Sequence, residues 1–128
     1  MKYLLSLILI IWSCYIYSET FDDVVESPKI YYNPHILSDG WVISGTLNVT
    51  REKTKSEVIS KFNLIININN DEVINGRLSE LVTGELTGNY DEYQIDTVCY
   101  SEHRKKHNWI DVICMILVND KRIGTLSF

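Results

Sequence analysis

The sequence lacks an excess of positive charge, and this limits the partners that the protein can bind. Its 128 residues contain 12 Lys and Arg against 17 Asp and Glu, which gives a net charge of −5 at pH 7. Proteins that bind nucleic acid neutralise its phosphates with clustered Lys and Arg. We therefore do not expect nucleic acid among the partners.

The sequence signatures of common catalytic sites are also missing. There is no G-x-S-x-G nucleophile elbow, no P-loop and no glycine pattern for dinucleotide binding. His103 and His107 have a spacing that recurs in zinc sites, but the remaining histidine, His35, lies far away in the chain. A catalytic zinc needs a third protein ligand. We expect no catalysis, no metal ion and no cofactor.

No apolar run reaches the roughly 20 residues that a membrane span needs. The longest run begins the chain, where Lys2 precedes apolar residues 3–12 and a polar-aromatic stretch that ends at Ser18. This pattern predicts a cleaved secretory signal peptide over residues 1–18. The mature chain then starts near Glu19, loses one positive charge to reach a net charge of −6, and is secreted without stable membrane insertion.

Cysteine is scarce, and the C-x-x-C spacing of thiol oxidoreductases is absent. Cys14 leaves with the signal peptide, so Cys99 and Cys114 remain in a compartment that favours oxidation. We expect them to form a structural disulfide, which the chain-entropy model values at about 3 kcal/mol for a loop of this length. If the two cysteines face each other, the same register sets Thr97 opposite Ile116.

Helical periodicity is missing beyond the signal peptide, and alternation of apolar with polar residues takes its place. Trp41, Ile43 and Leu47, for example, share one face of a strand. The pattern predicts an extended N-terminal arm over residues 19–40 and a single all-β domain over residues 41–128.

The predicted fold is a small antiparallel meander of six to seven strands with one cross-strand disulfide, the seventh strand coming from the arm. Such a meander hides its apolar faces and edges in a β-sandwich or in an up-and-down barrel, and the sequence favours neither. Residues 70–72 are predicted to form a hairpin loop that sets Leu64 opposite Leu78. The alternation changes parity near residues 89–92, which predicts a bulge or bend there.

Asn48 begins the only N-x-[ST] sequence, Asn48-Val49-Thr50. Alternation places Asn48 and Thr50 on the polar face of their strand, where a glycan has room. The simpler interpretation is a chance tripeptide in a chain rich in asparagine.

Positive charge is concentrated in the predicted hairpin tip that the disulfide closes, which comprises His103, Arg104, Lys105, Lys106 and His107. This cluster is a candidate contact for an anionic partner, such as a sulfated glycan or an acidic protein surface. Protonation of its histidines as the pH falls toward 6 would strengthen the contact. The simpler interpretation is a solvated loop.

Tyr31 and Tyr32 in the arm are a second candidate contact, because tyrosine supplies contact area at low entropic cost. We therefore expect a secreted binding module that recognises an extracellular protein or an anionic glycan without catalysis. Two alternatives stay open, namely a small barrel that carries an apolar small molecule and an inhibitor of a secreted enzyme.

Replacing Arg104, Lys105 and Lys106 together with Ala tests the hairpin tip. We expect weaker retention on an immobilised sulfated polysaccharide, measured at about pH 7.4 and about pH 6, with folding intact. A matched control removes the same charge from another polar connection by replacing its three basic residues, Arg51, Lys53 and Lys55. If the first variant is retained as strongly as the unaltered protein, the hairpin tip is not a contact.

Overall fold

The computed structural model describes residues 19–35, 39–104 and 109–128, so the predicted signal peptide lies outside the described residues. These residues form nine β-strands. In chain order the strands are β1 (Glu19–Glu26), β2 (Ile30–Tyr32), β3 (Trp41–Lys53), β4 (Val58–Ile68), β5 (Asp71–Leu78), β6 (Gly84–Tyr90), β7 (Tyr93–Arg104), β8 (Trp109–Val118) and β9 (Lys121–Ser127). Within the described ranges, no helix has the length and hydrophobicity that a membrane crossing would require.

The strands form two antiparallel sheets. Sheet A has the order β1-β3-β4-β5, with β2 paired to β3 next to β1, and sheet B has the order β6-β7-β8-β9. The predicted all-β antiparallel meander is confirmed, and it takes the form of two sheets around one core. The strand count is nine rather than six to seven, because the arm supplies both β1 and β2 and residues 41–128 supply seven strands.

Alternation along the strands decides which side chains are buried. On β3, Trp41, Ile43 and Leu47 face the interior and are 4%, 0% and 3% exposed. The same alternation lines the space between the sheets with aliphatic side chains, and the fully buried ones are Ile43, Leu64, Ile66, Ile68, Ile95, Ile116 and Leu126. Burying one such side chain stabilises a fold by about 1.5–3 kcal/mol, so this core holds the two sheets together.

Glycine lets the C-terminal segment of sheet B pack closely on β3. A Cβ atom at Gly45 would lie 2.7 Å from Cζ of Phe128 and 2.8 Å from Cδ1 of Leu126, which is too close for any side chain without rearrangement. The backbone of Phe128 also exchanges two hydrogen bonds with Val112. The last residue is therefore part of the packed structure.

Three two-residue turns reverse the chain at one end of the sandwich, called here the turn end. They are Asn69–Asn70, Asp91–Glu92 and Asn119–Asp120, and all six residues have positive φ, as type I′ turns require. Asparagine and aspartate tolerate this left-handed conformation better than most residues do. The opposite end, called here the loop end, holds connections 54–57 and 79–83 and the paired ends of β7 and β8 at Arg104 and Trp109.

One of the sequence predictions is wrong at these turns. The first hairpin turns at residues 69–70 instead of 70–72, so Leu78 pairs with Phe62 and not with Leu64. A register shift after Ile66 absorbs one residue, which preserves the inward-facing pattern that suggested the longer loop. The bulge or bend predicted near residues 89–92 is a complete hairpin turn, with Tyr90 paired to Tyr93.

The two sheets repeat one arrangement of strands. Strands β3, β4 and β5 correspond to β7, β8 and β9, with Ile43 opposite Ile68 in sheet A and Ile95 opposite Val118 in sheet B. The hairpin registers also shift at corresponding places, after Ile66 in sheet A and at the matching position of sheet B.

Hydrogen bonds at the turn end follow the same repeat. The amide of Asn69 donates to the carbonyl of Val42, and its Oδ1 accepts from the amide of Val42, both at 2.9 Å. Asn119 makes the same two bonds with Gln94, also at 2.9 Å. Each central position of sheet A therefore has a counterpart in sheet B, and the two outer faces can be compared residue by residue.

The predicted disulfide is present between β7 and β8. Cys99 and Cys114 lie directly opposite each other, with 4.0 Å between their Cα atoms, and both are buried. Thr97 faces Ile116 in the same register, which confirms the predicted pairing. The disulfide thus joins the two central strands of sheet B inside the core.

We expect Cys114→Ser to lower the free energy of unfolding by about 2–5 kcal/mol, because the unfolded chain loses a constraint and a hydroxyl enters the core. Denaturant unfolding followed by circular dichroism measures the change. The double replacement of Cys99 and Cys114 by Ala separates the constraint from the buried hydroxyl. Alkylation that finds two free thiols in the unaltered protein would contradict this assignment.

Glu92 has a φ of 75°, a left-handed conformation that costs a residue with a side chain about 1–2 kcal/mol. We expect Glu92→Gly to raise the free energy of unfolding by about 1 kcal/mol, because glycine adopts this conformation without a steric penalty. Asn70→Gly is the matched control, with a φ of 69° at a residue type that tolerates it. An equal gain at both positions would show that strain at Glu92 is not the cause.

Candidate functional site

The structure does not bring the two predicted contact regions together. Tyr31 and Tyr32 lie on β2 near the turn end, because Tyr32 pairs with Trp41 at the start of β3. The hairpin tip leaves β7 at Arg104 and returns at Trp109, which is at the loop end. The tyrosines and the strand ends that border the basic cluster are therefore at opposite ends of the sandwich.

The two tyrosines also differ from each other. Tyr31 is 76% exposed, whereas Tyr32 is partly buried and packs against Trp41 with 5.9 Å between ring centroids. Neighbouring residues of a strand point to opposite faces, so only Tyr31 presents its ring to solvent. Of the two predicted contact residues, Tyr31 is free to contact a partner, whereas Tyr32 packs within the fold.

The basic tip lies mostly beyond the described residues. The backbones of His103 and Arg104 belong to β7, while Lys105, Lys106 and His107 fall outside the described ranges. The contact assigned to this cluster stays a prediction.

Asn48 lies on the outer face of sheet A, as its alternation predicts. It is partly exposed, and its neighbours across the strands are Val24 on β1 and Asn63 on β4. A glycan on Asn48 would cover the middle of this face, and its presence stays a prediction.

An open cleft of about 470 Å³ lies at the turn end. Trp41 forms its floor and meets the rings of Tyr90 and Tyr93 edge to face, with centroids 5.2 and 5.1 Å away. The hydroxyl of Tyr93 is hydrogen bonded to Nε2 of His35. The residues around the cleft are Pro34, His35, Asp39, Trp41, Asn69, Tyr90, Asp91, Glu92 and Tyr93. Aromatic rings beside carboxylates favour a cationic ligand over an anionic one.

The outer face of sheet B carries apolar side chains where solvent would be expected to favour polar ones. On β7 and β8 these residues alternate with the buried set, so they point away from the core. Tyr100 is 36% exposed, and the other four are partly exposed. This outer B face consists of Val98, Tyr100, Ile113, Met115 and Leu117.

The repeat between the sheets provides an internal comparison for this face. Sheet A holds three asparagines, one threonine and one isoleucine at the five corresponding positions. Thr46, Asn48, Asn63, Ile65 and Asn67 in sheet A match Val98, Tyr100, Ile113, Met115 and Leu117 in sheet B. The sandwich therefore does not itself require an apolar outer face, since the same register in sheet A is mostly polar.

Carboxylates border the outer B face. Glu85 pairs with Val98 from the neighbouring strand, and Asp96 pairs with Leu117. The hydroxyl of Thr87 donates to Asp96 at 2.8 Å, which holds this carboxylate beside the apolar residues. Arg122 is a basic residue on the β9 side.

Within the described part of the chain, no group of three or more His, Cys, Asp or Glu side chains is placed to hold a metal ion. Comparisons of the chain with models of protein families, with curated proteins and with solved structures found no match. No family therefore assigns a role to any residue of the outer B face or of the cleft.

Of the outer B face, the sequence suggests only Tyr100, as one of several aromatic candidates for recognition, although a signal for the whole face exists. Strand β8 is apolar at both odd and even positions over residues 112–118. Such a run is typical of a strand covered on both faces. In this structure only one face of β8 is covered, so the sequence pattern identifies the other face as unusual.

Proposed function

We propose that the chain is a secreted binding module that docks on another extracellular protein through the outer B face. The observation that carries this proposal is the contrast between the sheets, in which five matched outward positions are mostly polar in sheet A and apolar in sheet B. Contiguous apolar surface on a soluble protein commonly marks an interaction site. The disulfide supports an oxidising compartment, where such bonds persist.

The charges around the outer B face favour a basic partner. Glu85 and Asp96 flank the apolar residues from two strands, and Glu102 follows two positions after Tyr100 on the same face. A partner that places Lys or Arg around an apolar centre would be complementary to this surface. A second copy of the chain would bring carboxylates against carboxylates, which disfavours self-association through this face.

Tyr100 is the expected anchor of the interface. It is the most exposed residue of the outer B face, and tyrosine is enriched among the residues that dominate binding energy. Five side chains are fewer than the roughly 20–30 residues that each partner contributes to a standard interface. We therefore place the outer B face at the centre of a contact whose border includes the carboxylates.

The interior gives no support to the alternative of a ligand-carrying barrel. Leu126 and Phe128 approach Gly45 closely, and this tight contact between the sheets favours a packed interior over a ligand cavity. The basic hairpin tip is proposed as a separate contact with anionic groups, at the loop end.

Met115→Glu tests the proposed docking surface. We expect a reduction in capture of the partner of at least about tenfold, because a carboxylate buried in the interface has no counter-charge there. Ile65→Glu is the matched control, since Ile65 occupies the corresponding outward position of sheet A and is also partly exposed. Quantitative affinity capture from extracellular fluid measures the proteins retained by each variant and by the unaltered protein.

The comparison decides the proposal if both variants unfold at the same denaturant concentration. A protein retained by the unaltered chain and by Ile65→Glu, but lost by Met115→Glu, supports the outer B face. Equal retention by both variants, or a selective loss with Ile65→Glu, would overturn it.

A further inference from the structure

Strand β1 is the most exposed strand of the described fold. Every described side chain on it, from Thr20 to Glu26, is exposed. The apolar ones are Phe21 at 52%, Val24 at 64% and Val25 at 37%. Because neighbouring residues of a strand point to opposite faces, β1 presents apolar side chains on both of its faces.

The hydrogen bonds of β1 show which of its backbone groups point outward. The amide of Ser27 donates to the carbonyl of Gly45 at 3.0 Å, so the residue that follows β1 faces β3. Backbone direction alternates in an antiparallel pair. The N–H and C=O groups of Thr20, Asp22, Val24 and Glu26 therefore point away from β3, to a side where the described part of the chain places no further strand.

The other terminal strands of the two sheets lie against neighbours. A Cβ atom at Gly88 on β6 would lie 2.3 Å from the carbonyl oxygen of Val73 on β5, and one at Gly124 on β9 would lie 2.9 Å from Cδ1 of Ile30 on β2. Strands β5 and β6 therefore lie against each other, and β9 lies against β2. Among the strands that the structure describes, β1 is left as the open edge.

The negative charge of β1 indicates which kind of strand could pair with this edge. Four of its eight residues are acidic, namely Glu19, Asp22, Asp23 and Glu26. Asp23 lies 3.9 Å from Arg51, and both side chains are more than half exposed, so this pair neutralises little. Pairing with β1 of a second copy would bring eight carboxylates together. Charged side chains on an edge strand commonly prevent such pairing between copies. A basic strand from another protein meets no such repulsion.

We propose that β1 receives an extended segment of a partner protein by strand addition, and that this segment alternates basic with apolar residues. Main-chain hydrogen bonds to Asp22, Val24 and Glu26 would supply affinity, and the side chains would supply selectivity. Basic residues of the segment would lie beside Asp22 and Glu26 on the outer face. Apolar residues would lie beside Phe21 and Val25 on the inner face. This surface is separate from the outer B face.

An eight-residue peptide that alternates Lys and Val matches β1 in length and is the first binding partner to test. Lys and Val then occupy opposite faces of the added strand. The control peptide replaces each Lys with Glu. Binding is measured by titration with NMR detection, and amide hydrogen exchange with and without peptide locates the contact. We expect new protection at the amides of Asp22, Val24 and Glu26.

Val24→Pro removes one outward amide at an edge position where proline is tolerated. We expect it to weaken binding of the Lys-Val peptide by at least about tenfold. Val24→Thr keeps the amide and the β-branched shape while reducing hydrophobicity, so it should retain most of the binding. The Glu-Val peptide should not bind the unaltered protein.

Each contrary result would overturn strand addition at β1. The first two are absence of binding by the Lys-Val peptide, and binding to Val24→Pro as strong as to the unaltered protein. The other two are a loss of binding with Val24→Thr as complete as with Val24→Pro, and hydrogen-exchange protection confined to residues outside β1. Met115→Glu should bind the peptide as the unaltered protein does, because the two surfaces are separate. A failure of the outer B face as a docking surface would therefore leave this result unchanged.

Discussion

The structure depends on burial of one face of each sheet against the other, in a single core. No sheet of this kind is stable alone, because one face of it is apolar and needs cover. The alternation of the strands supplies an inner face to both sheets, and the glycine at Gly45 lets Leu126 and Phe128 approach β3 closely. The disulfide between Cys99 and Cys114 lies in the same core and adds a covalent bond to it.

Because the two sheets repeat one arrangement of strands, they show which positions must be apolar for packing and which positions packing does not constrain. Inner positions are constrained by the opposing sheet, and both sheets fill them with apolar residues. Outer positions face solvent in either sheet, yet they differ: Asn63 and Asn67 in sheet A correspond to Ile113 and Leu117 in sheet B. The core does not need an apolar outer face on sheet B. We therefore propose that contact with a protein partner accounts for these apolar residues.

The two proposed surfaces call for related partner chemistry by different physical means. The outer B face offers side-chain burial around Tyr100, with carboxylates at its border. Strand β1 offers backbone groups that pair with no other described strand, together with exposed Phe21 and Val24 among acidic residues. Each favours a basic and apolar partner over a second copy of the chain. The basic hairpin tip, if it binds anionic groups as the sequence predicts, would add the opposite preference.

The sequence by itself determined the all-β class, the inward-facing residues of β3 and β8, and the partner of Cys99, because a period of two and a cross-strand pairing are local properties. It misplaced the hairpin loop at residues 70–72, since a register shift keeps the inward pattern while changing the turn. Only the tertiary structure decided that the arm completes sheet A, that one face of β8 is uncovered and that β1 is an open edge. Whether a face or an edge is covered depends on residues that are distant in the chain, and a local sequence pattern carries no information about those contacts.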